Sequence, residues 1–160
     1  MTRRAVGFGL NGRSVEIWVE PSRTLLDALR EDLGATEVKY GCGEGVCGTC
    51  TVLLDGRSVN ACTMLAVQAE GQAVTTVKGL GGDGEMHPLQ RAFLEHGASQ
   101  CGFCTPGMLL VAEEFVREHP GASREELRRS LAGNLCRCTG YAKILDAAEA
   151  YVRERSEGHR

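Results

Sequence analysis

The sequence predicts an α+β protein of two small units in tandem, a mixed sheet with one helix across it followed by a bundle of helices. Three observations lead there. Two hairpin signals fall in the first half, the composition turns abruptly glycine-rich from Lys78, and the segments beyond repeat their apolar residues at helical spacing. With 160 residues and 42% apolar content, the chain can fill one core or two modest ones.

RAVGFGL and RSVEIWV are β-rich runs joined at Asn11 and Gly12, and Asn-Gly between such runs is the strongest short-range hairpin signal. A helix is expected from about Leu25 to Leu33. Thr24 stands at its N-cap with Asp27 three residues on, Leu25, Leu26, Leu29 and Leu33 share a face, and Gly34 ends it. A thiol-rich loop follows, then TVLLDGRSVNA with a second turn at Asp55 and Gly56, and a last β-like run, AVTTV. The segment KGLGGDGEMHP has little to bury and marks a boundary, so the expected domains are 1–78 and 88–160 with 79–87 as linker. Pro88 opens one helix, and Thr105-Pro106 opens a second through MLLVAEEFVREH. Ser123 and Glu126 form a capping box for a third, and Tyr141, Ile144, Leu145, Ala148 and Val152 trace one face of a fourth.

Charge and hydropathy exclude several functions. The formal charge of −3 is spread evenly, with eight basic and nine acidic residues in 1–80, so no patch suggests nucleic acid or an anionic membrane. No window approaches the eighteen or so apolar residues of a membrane span. Arg3 and Arg4 suggest a twin-arginine leader, but the segment after them meets a turn and a charge before any hydrophobic region develops. A cytoplasmic protein is expected. Eight cysteines are many for that compartment, where thiols stay reduced, and they point to metal or redox chemistry.

Cys42, Cys47, Cys50 and the later Cys62 follow the C-x4-C-x2-C…C spacing of plant-type [2Fe-2S] binding. Three thiolates from one wrapped loop and a fourth from a neighbouring strand can enclose a two-iron rhomb. Gly41, Gly43, Gly45 and Gly48 suit a backbone that curls tightly and brings N–H groups close to sulfur. Gly43, Gly45 and Gly48 also satisfy G-x-G-x-x-G, but a dinucleotide fingerprint opens a helix, and a strand is expected here. A zinc site would show two C-x2-C pairs or added histidine. In the second half, Cys101 and Cys104 form CGFC and Cys136 and Cys138 form CRC, each pair expected where a helix begins. CGFC alone resembles a thioredoxin-like dithiol, but no βαβ pattern flanks it and the second pair stays unexplained. Two helix N-termini aimed at one place would favour a negatively charged four-thiolate cluster.

QCGFCTPGM at 100–108 and GNLCRCTGY at 133–141, together with YGCGEGVCGTC and Cys62, resemble the iron–sulfur subunit of the molybdenum hydroxylases, the family of xanthine oxidase, carbon monoxide dehydrogenase and aldehyde oxidoreductase. The resemblance runs from about Val6 to Tyr151 and shows no departure at the eight cysteines. It implies an N-terminal β-grasp ferredoxin-like domain and an all-α four-helix domain, each holding one [2Fe-2S] cluster. It also implies a large subunit with molybdenum on a molybdopterin, a medium subunit with FAD, and a hetero-oligomer whose trimer can be duplicated. On that pattern Cys42, Cys47, Cys50 and Cys62 hold the cluster nearest FAD. Cys101, Cys104, Cys136 and Cys138 hold the one nearest molybdenum, with Gln100 and Cys138 beside the pterin. Substrates of the family range from carbon monoxide and aldehydes to purines and other nitrogen heterocycles, and their pocket lies in a different chain.

Without the resemblance, Gln100 is a polar residue beside a loop. His87, His96, His119 and His159 show no ligand spacing and read as solvent-facing or helix-end residues. Met108, Leu109, Val111, Phe115 and Val116 read as helix core, and Trp18 as either sheet packing or a subunit contact. No nucleophile–base constellation appears, so substrate chemistry belongs to another chain. Two other readings are a free two-cluster ferredoxin, which would carry a more one-signed surface, and a zinc-stabilised interaction module.

Overall fold

A computed structural model of the protein describes residues 2–82 and 84–158; His159 lies outside the described residues. β1 (Arg4–Leu10) and β2 (Arg13–Val19) pair antiparallel, with Leu10 opposite Arg13. Asn11 and Gly12 take φ of 50° and 78°, the left-handed pair that a type I′ turn requires. Asp55 and Gly56 do the same between β3 (Thr51–Leu54) and β4 (Arg57–Asn60). β5 (Ala73–Thr75) inserts between the hairpins, parallel to β1 and antiparallel to β3, and the strand order is β2-β1-β5-β3-β4. One helical segment crosses this mixed sheet, which makes a β-grasp.

That segment departs from the expected α-helix over Leu25 to Leu33. Only α1 (Leu25–Asp27) is α-helical, and Ala28–Asp32 continues as a π-helix closed by Leu33 N–H on the Ala28 carbonyl at 3.1 Å. Its wider turn keeps Leu25, Leu26, Ala28 and Leu29 buried together and leaves Leu33 at the core's edge. Thr24 caps it as expected, accepting from Asp27 N–H at 3.0 Å. The last β-like run is also shorter than expected. After Thr75 the chain turns inward at Thr76, whose hydroxyl donates to Glu37 and accepts from Asn11 Nδ2, and Val77–Gly79 is a 3-10 turn.

The second half is all helical: α2 (Pro88–Glu95), α3 (Thr105–Glu118), α4 (Arg124–Ser130) and α5 (Ala142–Gly158). His87 caps α2, with Nδ1 accepting from Leu89 N–H, and His96 and His119 end α2 and α3. The Ser123–Glu126 capping box forms. Ile144, Leu145, Ala148 and Val152 are buried on α5, as their spacing predicts, together with Ala147 and Tyr151.

Two cores result. One lies between the sheet and α1; the other lies among α2 to α5 and takes in Val77 and Leu80. α3 joins them. Its inner face, Met108, Leu109 and Val116, is buried, while Val111 and Phe115 are only partly covered and border a groove with Ser58. From the same helix Glu114 accepts from Ser58 N–H at 2.8 Å and Arg117 donates to the Gly56 carbonyl at 2.6 Å. Trp18 is 63% exposed on the edge strand β2, so it does not pack within the sheet. Among the described residues no helix is long and apolar enough to cross a membrane.

Candidate iron–sulfur centres

Between the π-helix and β3 the backbone wraps around sulfur. The Cys42 Sγ accepts from Glu44 N–H at 3.3 Å and Val46 N–H at 3.4 Å, and the Cys47 Sγ accepts from Cys42 N–H at 3.4 Å. N–H groups of Glu44, Cys47 and Val46 favour the thiolate and hold the Cys42 pKa down at about 6. Gly41 owes its place to close approach: a Cβ there would stand 2.8 Å from the Cys47 Sγ. Cys50, at the foot of β3, and Cys62, after β4, are both buried. Burial pushes the Cys50 thiol up to about 12, with the neighbouring Cys62 and Cys47 sulfurs adding to the effect.

The second group gathers at the N-terminal end of α3. Cys104 is the N-cap residue of α3 and is buried, whereas Cys101 is exposed and stands 3.5 Å, sulfur to sulfur, from exposed Cys138. The Cys136 Sγ accepts from the Thr139 hydroxyl at 3.1 Å and its N–H at 3.4 Å. Burial raises the Cys136 pKa, but these donors and Cys138 N–H outweigh it and leave it lowered. Cys104 goes up to about 12, through burial first and its contact with Cys136 second. Cys138 is raised chiefly by the hydrogen bond with Cys101. Only one pair sits directly at a helix start, because α5 begins at Ala142 and Cys136 and Cys138 ride on the loop before it. Gln100 is exposed next to Cys101.

The eight cysteines are free thiols and fall into two groups of four, the first four in one group and the last four in the other. Within each group they come in pairs: Cys42 with Cys47 and Cys50 with Cys62, then Cys101 with Cys138 and Cys104 with Cys136. Among the described residues no three such side chains close on one point, as they would around a single ion. Two pairs of thiolates fit two irons bridged by sulfide, whose positive charge would relieve the opposed titrations of crowded thiols.

Three residues at this site lie inside the quoted cysteine segments but have roles that the cysteine spacing does not show. Asn134 is only 4% exposed, and its Nδ2 donates to the Gly48 carbonyl at 2.9 Å. Tyr141 reads as part of the α5 apolar face, yet its hydroxyl accepts from Cys136 N–H and donates to the Asn134 carbonyl, both at 3.0 Å. Gly107, unremarked inside α3, would place a Cβ 2.5 Å from the Gly48 carbonyl oxygen. Between them, Leu135 N–H donates to the Cys47 carbonyl at 2.9 Å and ties one thiol loop to the other.

A β-grasp sheet and a four-helix unit with four thiols each define a two-cluster iron–sulfur protein. Two family models agree: a 2Fe-2S iron-sulfur cluster binding domain matches residues 8–76 and a [2Fe-2S] binding domain matches residues 76–149. The chain is 48% identical to the nicotinate dehydrogenase small FeS subunit of Eubacterium barkeri, across 97% of this chain and 98% of that one. It is 48% identical to the nicotine 6-hydroxylase small subunit of Paenarthrobacter nicotinovorans, across 91% and 87%. Among solved structures, quinoline 2-oxidoreductase from Pseudomonas putida 86 superposes with a TM-score of 0.93 at 45% identity, covering 99% of both chains. Aldehyde oxidoreductase from Desulfovibrio gigas gives 0.91 at 38% identity, with this chain matching 18% of that longer one. The chain belongs to the iron–sulfur subunits of the molybdenum hydroxylase family.

Proposed function

We propose that the protein relays electrons within a molybdenum hydroxylase complex, from the molybdopterin cofactor of a large subunit to FAD in a medium subunit. Cys42, Cys47, Cys50 and Cys62 hold the cluster on the flavin side, and Cys101, Cys104, Cys136 and Cys138 hold the one on the molybdenum side. When bound, each [2Fe-2S] cluster takes up and passes on one electron. The chain's own part is to donate thiolates, to hold backbone N–H groups against sulfur and to exclude water from the buried Cys50, Cys62 and Cys104. The observation that carries the reading is the Leu135–Cys47 hydrogen bond. It joins the residue before Cys136 to Cys47 itself, so the two thiol groups are linked through backbone and one polar contact.

The exposed end formed by Gln100, Cys101 and Cys138 supports contact with the pterin-bearing subunit, and Phe103 and Leu135, 47% and 52% exposed, supply an apolar rim for it. Tyr40 and Val46, 56% and 63% exposed, do the same beside Cys42 and Cys47 on the flavin side. Separate sheet-side and helix-side cores support two domains, set at 1–78 and 88–160 with 79–87 as linker, and Val77 and Leu80 near that junction already pack on the helix-side core. Reduced thiols suit a cytoplasmic hetero-oligomer, in which the trimer can be duplicated. Relatives matched over 98% and 87% of their length are named as subunits, which disfavours a free ferredoxin, and the matching [2Fe-2S] models disfavour a zinc module.

Iron and acid-labile sulfide analysis of the purified complex, with paramagnetic resonance of the reduced protein, tests the assignment. Two distinct [2Fe-2S] signals are expected, and Cys62→Ser should abolish or alter only one. Zinc without sulfide, or loss of both signals from a folded variant, would overturn it.

A further inference from the structure

Three thiol-bearing segments meet at backbone contact around one buried side chain. Gly48 lies between Cys47 and Cys50, Gly107 lies three residues past Cys104, and Asn134 lies two residues before Cys136. A Cβ on Gly48 would stand 2.5 Å from the Gly133 carbonyl oxygen and 2.7 Å from the Asn134 Nδ2, so none of the three can be separated by a side chain. The Gly48 carbonyl is the focus. It accepts from Thr51 N–H at 3.2 Å, from the Thr51 hydroxyl at 2.6 Å and from the Asn134 Nδ2 at 2.9 Å.

The backbone of Asn134 is held as well. Its N–H donates to the Leu131 carbonyl at 3.0 Å, its carbonyl accepts from the Tyr141 hydroxyl, and that hydroxyl also receives Cys136 N–H. A buried amide with these partners has little freedom, and losing it leaves the Gly48 carbonyl bonded only to Thr51 of its own loop, with no side-chain bond across to the second thiol loop. The contacts of α3 with Ser58 and Gly56 also bridge the halves, but they lie on strand and turn residues rather than in the thiol loops.

We infer that Asn134 is a positioning residue that sets the distance and orientation between the two clusters, by clamping the Gly48 carbonyl to the loop carrying Cys136 and Cys138. The inference rests on the two-cluster reading. The clamp keeps the Leu135–Cys47 hydrogen bond formed, and through it the short connection between the thiol groups. Without the amide, the loops retain their own thiols but lose their fixed relation.

The test uses the assembled complex carrying Asn134→Ala, with Glu114→Ala as a control that removes a bridge away from the thiol loops. Iron and sulfide content and the two separate resonance signals are measured first; their absence from the wild type would defeat the two-cluster reading itself. With both clusters present, Asn134→Ala should weaken the magnetic coupling between the reduced clusters. It should also slow electron transfer between them several-fold and speed hydrogen exchange at the Leu135 amide. Glu114→Ala should lower thermal stability and leave all three unchanged. Unchanged coupling and transfer in Asn134→Ala, or equal changes in both variants, would overturn the positioning role. If Asn134→Ala loses a cluster, Asn134→Asp, which keeps the shape and removes the donor to Gly48, is read by the same three measurements.

Discussion

Gly48 has no room for a side chain on two counts. Its φ of 66° lies in the left-handed region, and the Gly133 carbonyl and Asn134 amide occupy the space a Cβ would need. Left-handed strain alone costs about 1–3 kcal/mol, and the obstructing groups are backbone and a clamped amide that cannot swing away. Gly48→Ala is therefore expected to destabilise the protein by at least that amount in chemical unfolding. A change within about 0.5 kcal/mol, as at an ordinary surface site, would mean that the two loops part freely. Gln100 is a different case. It is exposed beside Cys101 with no structural burden of its own, so Gln100→Ala should leave both clusters and stability intact while slowing electron transfer from the molybdenum subunit. Unchanged internal transfer would remove Gln100 from the path.

Among the elements, the segment crossing the sheet does the most with the least regular structure. One α-turn and a π-helix fill the core beneath the sheet and then release the chain toward the first thiol loop. Arg30 fastens that exit by donating to the Val38 carbonyl at 2.6 Å and the Thr36 carbonyl at 3.3 Å. Such a short helix depends on its cap, because few internal hydrogen bonds hold it. Thr24→Ala leaves Asp27 N–H without its acceptor and should cost about 0.5–2 kcal/mol, read as a lower urea midpoint at constant slope. No loss would show that the core alone holds the turn. The π-widening left no mark in the sequence, since Leu25, Leu26, Leu29 and Leu33 repeat as they would in an α-helix. The i→i+5 closure follows from how the core packs.

Across the whole molecule, the helical half is tied to the segment entering it by a buried polar cluster. The Tyr151 hydroxyl donates to Glu113, Arg155 reaches Glu113 at 3.3 Å, and the His87 Nε2 lies 3.7 Å from the same carboxylate. Burial lowers the His87 pKa and Arg155 and Arg91 reinforce that, against the opposing pull of Glu113 and Glu154. The unfolded chain therefore takes up this proton more readily than the native one. The contribution is fully present above the unfolded-state value of about 6.5 and is lost as pH falls through the depressed native value. His87→Asn keeps an acceptor for Leu89 N–H and removes the titration, so it should flatten the fall in stability as pH drops below the unfolded-state value of about 6.5. An identical slope in wild type and variant would assign the acid sensitivity to other groups.

The β-grasp hairpins, the caps of α1 and α4 and both sets of thiols were legible because each rests on local chemistry. Asn-Gly and Asp-Gly adopt left-handed turns wherever they occur between strands, a capping hydroxyl acts within three residues, and thiol spacing reflects the reach of a loop around a cluster. The sequence by itself thus determined a sheet unit crossed by one helical segment, an all-helical unit, and the thiols that characterise them. Only the tertiary structure decided how the two thiol groups face each other. That relation depends on Asn134, Gly107 and the Leu135 amide, whose partners on the first loop lie far away in sequence, and on Tyr141, which braces Asn134 and Cys136 within the second loop. Each looks ordinary alone, because a buried hydrogen bond or a missing Cβ acquires its meaning from the group that folding brings opposite it.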